Sequence, residues 1–204
     1  MTPLAPSGLY LLADGQQLRD PRLGAILRAG VSMLQYRDKA WGATHAELRR
    51  VRALCAQHRI AFVVNDNVEL AQAVGADAVH LGIEDGPVNL ARARLGPSVA
   101  VGASCYADLD RAQQMVHEGA DYLAFGSFYP STTKPGACRA TPDLLTQART
   151  RWRVPLVAIG GITPDNGAVV RAAGADLLAV ASGVWAAPDP VAMVARYLEL
   201  FRGG

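Results

Sequence analysis

Gln35, Arg37 and Lys39 alternate along the run Gln35-Tyr36-Arg37-Asp38-Lys39. In an extended chain a spacing of two puts an amide and two cations on one face. A barrel or sheet interior cannot hold such cations unpaired, so the cluster is either solvated or built for an anion. The lysines narrow the choice. Of 20 basic residues only Lys39 and Lys134 are lysines; the others are arginines. A compact ammonium on a flexible stem suits work that a planar guanidinium does less well.

Carboxylates follow at the next two strand ends, in Asn65-Asp66 and in His80-Leu81-Gly82-Ile83-Glu84-Asp85. One or two carboxylates, completed by water and phosphate oxygens, form the usual magnesium environment. Each aspartate has a competing role: Asp66 as cap of a helix beginning at Val68, and Asp85 as cap of a helix after Pro87. His80, in an apolar run, reads as a core histidine with its hydrogen bonds satisfied. Ser104 could donate to an anion or open a helix. The segment 129–136 is rich in hydroxyls, proline and glycine and carries Lys134. It reads as a lid that brings a cation to a phosphate, or as an ordinary surface loop. Gly160-Gly161 and Ser182-Gly183 offer backbone N–H groups to a second phosphate, or form simple turns. There is no Ser/His/Asp triad, no cysteine with a partner base and no zinc spacing. That inventory suits a reaction helped by stabilising a departing pyrophosphate.

The elements that position these residues are legible as alternating short and long segments. Nearly continuous apolar runs at 9–13, 33–36, 61–64, 78–81, 99–103, 122–125, 156–159 and 177–181 predict strands buried on both faces. Amphipathic helices are predicted at 44–58, 109–117 and 191–201, with Thr44 and Glu47 as a capping box and Asp108 opening the second. Gly75-Ala76-Asp77, Gly119-Ala120-Asp121 and Gly174-Ala175-Asp176 each lie between a helix and a strand, and Gly30-Val31-Ser32 holds the same place. Their spacing fits two βα units per echo. The expected architecture is therefore α/β, a (β/α)8 TIM barrel forming one domain over 1–204, with its chemistry at the C-terminal strand ends. An open doubly wound sheet is the alternative, but Asp14-Gly15-Gln16-Gln17 lacks the glycine fingerprint that fold places after its first strand.

Half the residues are apolar and 19% are charged, which suits a soluble globular enzyme rather than a disordered or membrane protein. A net charge of +2 gives no electrostatic footprint for nucleic acid. Cys55, Cys105 and Cys138 form no CxxC pair, which fits a reducing compartment. No membrane span and no secretory leader is apparent, so a cytoplasmic protein is expected. Its expected partners are small phosphorylated substrates, with neither nucleic acid nor membrane among them; oligomeric state is left open.

Seven segments, in order at consecutive strand ends, resemble the thiamine phosphate synthase family. They are Gln35-Tyr36-Arg37-Asp38-Lys39, Asn65-Asp66, His80-Leu81-Gly82 with Asp85, Gly102-Ala103-Ser104, Ser131-Thr132-Thr133-Lys134, Ile159-Gly160-Gly161-Ile162 and Ala181-Ser182. The resemblance implies a transferase joining hydroxymethylpyrimidine diphosphate to a thiazole phosphate. It implies that Gln35, Arg37, Lys39, Asn65, Ser104 and Lys134 hold the diphosphate substrate, with Tyr36 and Asp38 in the same binding segment. Arg37, Lys39, Ser104 and Lys134 would be catalytic, and Asp66 and Asp85 would hold Mg2+. Ser131, Thr132, Thr133, Gly161, Ala181 and Ser182 would hold the thiazole phosphate. The family mechanism is dissociative. Ile83 departs from a position that is commonly glutamine, Ser131 replaces a threonine, and Tyr106 replaces a frequent histidine. A thiazole tautomerase on the same barrel, and a non-catalytic phosphate-binding barrel, are the rival readings.

Overall fold

The structure, a computed structural model, describes residue 4 and residues 7–40, 42–130 and 140–202. Eight parallel strands close into a barrel in chain order. They are β1 (Gly8–Ala13), β2 (Val31–Tyr36), β3 (Ala61–Asn65), β4 (Ala78–Leu81), β5 (Ala100–Tyr106), β6 (Tyr122–Gly126), β7 (Leu156–Ile159) and β8 (Leu177–Val180). Helices lie between and after them: α1 (Leu23–Arg28), α2 (His45–Gln57), α3 (Val68–Val74), α4 (Val88–Leu95), α5 (Leu109–His117), α6 (Pro142–Arg151), α7 (Gly167–Ala172), α8 (Ser182–Trp185) and α9 (Pro190–Glu199). The fold is the single-domain (β/α)8 barrel that the sequence predicts. No helix among the described residues is long and apolar enough to cross a membrane.

Alternation along each strand sorts the core into two layers. One parity, including Leu11, Leu34, Tyr36, Phe62, Val64, Val79, Val101 and Phe125, faces the helices. The other, including Tyr10, Met33, Val63, Ala78, Tyr122, Val157 and Ala179, fills the barrel. Both faces being buried explains why the strands read as unbroken apolar runs.

Helix ends follow local chemistry. The Thr44 hydroxyl accepts from Glu47 N at 3.3 Å while the Glu47 carboxylate accepts from Thr44 N at 2.7 Å, the predicted capping box. Asp108 accepts from Asp110 N and Arg111 N at the start of α5. β5 runs past the predicted end at 103 to Tyr106, which pairs with Phe125 after a register shift between Ser104 and Tyr106. Such an irregularity bends a strand and re-aims its side chains.

The repeated glycine–alanine–aspartate segments lie at the N-terminal strand ends. Asp77 accepts from Phe62 N at 3.0 Å, Asp121 from Val101 N at 2.7 Å and Asp176 from Leu156 N at 2.7 Å. Each also pairs with an arginine from an even-numbered helix: Arg52, Arg92 and Arg149 respectively. The aspartate thus ties β3 to β4, β5 to β6 and β7 to β8.

Candidate active site

At the opposite, C-terminal mouth the charges are arranged differently. Gln35, Asn65, His80 and Ser104 share the inward parity of their strands, and Asn65 lies in register with His80 and His80 with Gly102. Arg37 continues β2, its N–H bonded to Ala13 O at 2.8 Å, and is half-buried. Lys39, two residues on, is exposed.

Asp66 does not cap α3. Asn67 does, its side-chain oxygen accepting from Leu70 N at 2.7 Å. Asp66 instead takes a left-handed backbone with φ of 63°, a conformation uncommon outside glycine. Asp85 does not cap α4 either: Val88 N is taken by Glu118 at 3.0 Å. The Asp85 carboxylate accepts from Gly82 N at 2.7 Å and meets the Asp66 carboxyl group. Burial and the hydrogen-bonding Asp85 push the Asp66 carboxyl up to about 6, against the pull of Arg37 and Lys39. Two acids held side by side despite that penalty need a shared proton or a cation.

Among the described residues no three His, Cys, Asp or Glu side chains gather as a metal cage. Two carboxylates without a third protein ligand fit Mg2+, which keeps waters and takes phosphate oxygens from its substrate. Asp66 and Asp85 are the residues that would hold it.

His80 is buried, with Nδ1 at 3.1 Å from Tyr122 Oη and Nε2 at 2.9 Å from Ser104 Oγ. Burial, reinforced by Arg37 and opposed by Asp85, holds its pKa down to about 4. Gln35 Nε2 donates to Tyr10 Oη at 2.6 Å. Tyr36 and Asp38, expected among the substrate-binding residues, have backbone partners in the loop after β2 and, for Asp38, also in the loop after β1. The Tyr36 hydroxyl accepts from Ala43 N at 3.2 Å. The Asp38 carboxylate accepts from Gly15 N, Gly42 N and Ala40 N at 3.1, 3.1 and 2.9 Å. They shape the turn that carries Lys39.

Gly160 and Gly161 have φ values of 104° and 64°. A side chain at either would strike the segment after β6: an ideal Cβ falls 2.1 Å from Ser127 Oγ at Gly160 and 2.6 Å from Pro130 O at Gly161. Both glycines therefore admit the protein's own loop, whatever else approaches them. Ala181 and Ser182 are exposed at the end of β8, where the first N–H groups of α8 have no intrahelical acceptor. Ser131, Thr132, Thr133 and Lys134 lie outside the described residues.

Sequence reasoning missed two positions. Arg111 on α5 donates from Nε to Ser104 O at 2.7 Å and from Nη2 to Gly82 O at 3.3 Å, clamping the ends of β5 and β4. Its place after the Asp108 cap marks it only as a helix residue. Tyr122 opens an apolar run, and nothing in its local sequence shows that its hydroxyl meets Tyr10 and His80 across the barrel. Ile83 is 62% exposed and leaves the Asp85–Gly82 contact intact. The thiols of Cys55 and Cys105 are buried and pushed up to about 12, which removes them as nucleophiles.

A parallel barrel whose C-terminal mouth sets two cations beside two facing acids defines a (β/α)8 enzyme for phosphorylated substrates. The comparisons narrow the class. The family model described as thiamine monophosphate synthase matches residues 9–184. The thiamine-phosphate synthase of Thioalkalivibrio sulfidiphilus is 49% identical over 201 residues, 95% of each chain. That of Acidithiobacillus ferrooxidans is 47% identical over 204 residues, 96% of this chain and 94% of its own. The solved thiamine phosphate pyrophosphorylase from Pyrococcus furiosus superposes with a TM-score of 0.80 at 31% identity, covering 96% of this chain and 95% of that one. The chain belongs to the thiamine monophosphate synthase family and is a transferase.

Proposed function

We propose that this barrel joins 4-amino-2-methyl-5-(diphosphooxymethyl)pyrimidine to 4-methyl-5-(2-phosphooxyethyl)thiazole, releasing pyrophosphate and forming thiamine phosphate by a dissociative substitution. The observation that carries the reading is the Asp66–Asp85 carboxyl pair beside Arg37 and Lys39. A diphosphate with magnesium supplies what that group lacks: a cation between the acids and an anion for the bases. Bound Mg2+ would neutralise charge developing on the departing diphosphate.

The chain's own residues do the remainder. Arg37 and Lys39 face the leaving group, Ser104 and Asn65 donate to it, and Gln35 orients the pyrimidine. As the methylene C–O bond breaks, its electron pair leaves with pyrophosphate, and the positive charge is shared with the aminopyrimidine. The thiazole nitrogen then donates its lone pair to the methylene carbon. By resemblance, Lys134 joins the diphosphate cluster. Ser131, Thr132, Thr133, Gly161, Ala181 and Ser182 form the thiazole phosphate site. Tyr36 and Asp38 act through the turn that presents Lys39. The reading extends to a cytoplasmic enzyme, which the buried, unpaired thiols of Cys55 and Cys105 support.

Incubation with both phosphorylated substrates, with and without Mg2+, tests this. Thiamine phosphate and pyrophosphate should form in equal amounts, and only when both substrates and the metal are present. Conversion of a thiazole precursor alone would make the protein a tautomerase, and tight binding without turnover would make it a sensor.

A further inference from the structure

A continuous run of five hydrogen-bonded side chains crosses the barrel beneath the mouth. Gln35 Nε2 donates to Tyr10 Oη at 2.6 Å, and Tyr10 Oη lies 3.0 Å from Tyr122 Oη. Tyr122 Oη lies 3.1 Å from His80 Nδ1, and His80 Nε2 lies 2.9 Å from Ser104 Oγ. The five residues come from β2, β1, β6, β4 and β5. Tyr10 and Tyr122 meet edge to face at 6.1 Å, and Tyr122 stacks on His80 at 5.5 Å. Tyr10, Gln35, His80 and Tyr122 are all at least nine-tenths buried.

Each hydroxyl has one proton to give, and a neutral imidazole has one N–H. With the Gln35 amide nitrogen donating to Tyr10, the Tyr10 proton passes to Tyr122 and the Tyr122 proton to His80 Nδ1. The imidazole then carries its proton on Nε2 and gives it to Ser104 Oγ. The proton of Ser104 is left over for the mouth. The opposite polarity reverses every member: the Gln35 oxygen accepts, His80 is protonated on Nδ1, and Ser104 donates inward. Ser104 would then show an incoming anion only lone pairs. The polarity set at the Gln35 end is the one an anion site at the Ser104 end requires.

We propose that Tyr10, Tyr122 and His80 are positioning residues whose one-way hydrogen-bond relay locks His80 as the Nε2–H tautomer and makes Ser104 a donor to the diphosphate. This rests on the reading of Ser104 as a diphosphate ligand. Gly102 is part of the device. An ideal Cβ there would lie 1.9 Å from Tyr122 Cζ, so only glycine lets the phenol ring lie across β5. The Gly102-Ala103-Ser104 segment thus seats the centre of the relay and carries its last member.

The test is a long-range 1H–15N spectrum of the full chain labelled at histidine, with the His80 signals assigned from their loss in His80→Gln. The expected result is a proton on Nε2 and a hydrogen-bonded, unprotonated Nδ1. Tyr122→Phe keeps the stacked ring and removes the hydroxyl that joins Tyr10 to His80. Its Nδ1 signal should move to that of an unbonded nitrogen. Its kcat/KM for the pyrimidine diphosphate should fall about tenfold, as for loss of one hydrogen bond to a charged group. The KM for the thiazole phosphate should stay within about twofold, because the relay does not reach that site. A proton on Nδ1 in the unaltered protein overturns the relay, even if the variant fails to fold. Tyr122→Phe with unchanged kcat/KM for the diphosphate overturns it as well. Ser104→Ala with unaltered diphosphate kinetics would remove the premise instead. A Ser104→Ala defect combined with an Nδ1-protonated His80 would remove the relay alone.

Discussion

The two mouths of this barrel use the same residue types to opposite ends. At the N-terminal mouth Asp77, Asp121 and Asp176 each meet an arginine and a backbone N–H. At the C-terminal mouth Asp66 and Asp85 meet each other, and their cations stand to one side. The first arrangement is electrostatically complete and holds neighbouring strands together. The second is left incomplete by the protein, and a ligand carrying both a cation and an anion completes it. Charge alone does not mark a functional acid; lack of a paired cation does.

The contrast can be broken most sharply at the incomplete end. Asp66→Asn and Asp85→Asn should each lower kcat/KM about a thousandfold, the scale of several kcal/mol of charge stabilisation. Their melting temperatures should hold or rise, because a like-charge contact is lost. Steady-state kinetics beside thermal melting decide this; an unchanged rate with a collapsed melting temperature would invert the assignment.

Asp77→Ala at the complete end should do the reverse. Asp77 is buried, and its loss strands both Arg52 and Phe62 N. Denaturant titration should show about 3 kcal/mol less stability. Turnover per folded molecule should remain within about twofold, and a larger defect would mean that the two mouths are coupled.

Arg111→Met tests the clamp between β4 and β5. Releasing Gly82 O and Ser104 O should raise the half-saturating magnesium concentration about tenfold, as is usual when support behind a metal ligand is lost. Calorimetric titration of the substrate-free protein reads this directly, and an unaltered isotherm would restrict Arg111 to structure.

The same acid pair should also give a pH dependence. Asp66 keeps its proton up to about pH 6 in the folded, metal-free protein. The unfolded chain releases it near the ordinary carboxylate value of about 4. The metal-free protein should therefore lose stability as pH rises from about 4 to about 6. Metal competes with that proton, so magnesium affinity should rise over the same window and level off above it. Asp66→Asn should flatten both curves, and a wild-type profile in that variant would assign the titration elsewhere.

Much of this was legible in the residues, and the parts that were not share a cause. Spacing of two was enough to place Gln35, Arg37 and Lys39 on one face. Asp66 and Asp85 remained divided between capping and metal binding, because both roles use the same residue at the same helix approach. The structure removed the capping role by giving the α3 cap to Asn67 and the amide at the start of α4 to Glu118. The glycine–alanine–aspartate echoes were visible as a repeat, but their arginine partners were not, since each lies 25 to 29 residues away on the chain.

What the amino-acid sequence determined alone is whatever depends on one short stretch: strand parity, the Thr44 and Asp108 caps, and the order of chemical groups along eight strand ends. Those follow from the fixed two-residue repeat of a strand and from hydrogen bonds within a few residues. Tertiary structure decided which groups meet. Tyr10 and Tyr122 belong to β1 and β6, which are not neighbours in the barrel, and touch only across its interior. Asp66 reaches Asp85 because Asn65 pairs with His80 and the chain turns back at Gly82. Closure of the ring sets those distances, and no local pattern encodes a closure.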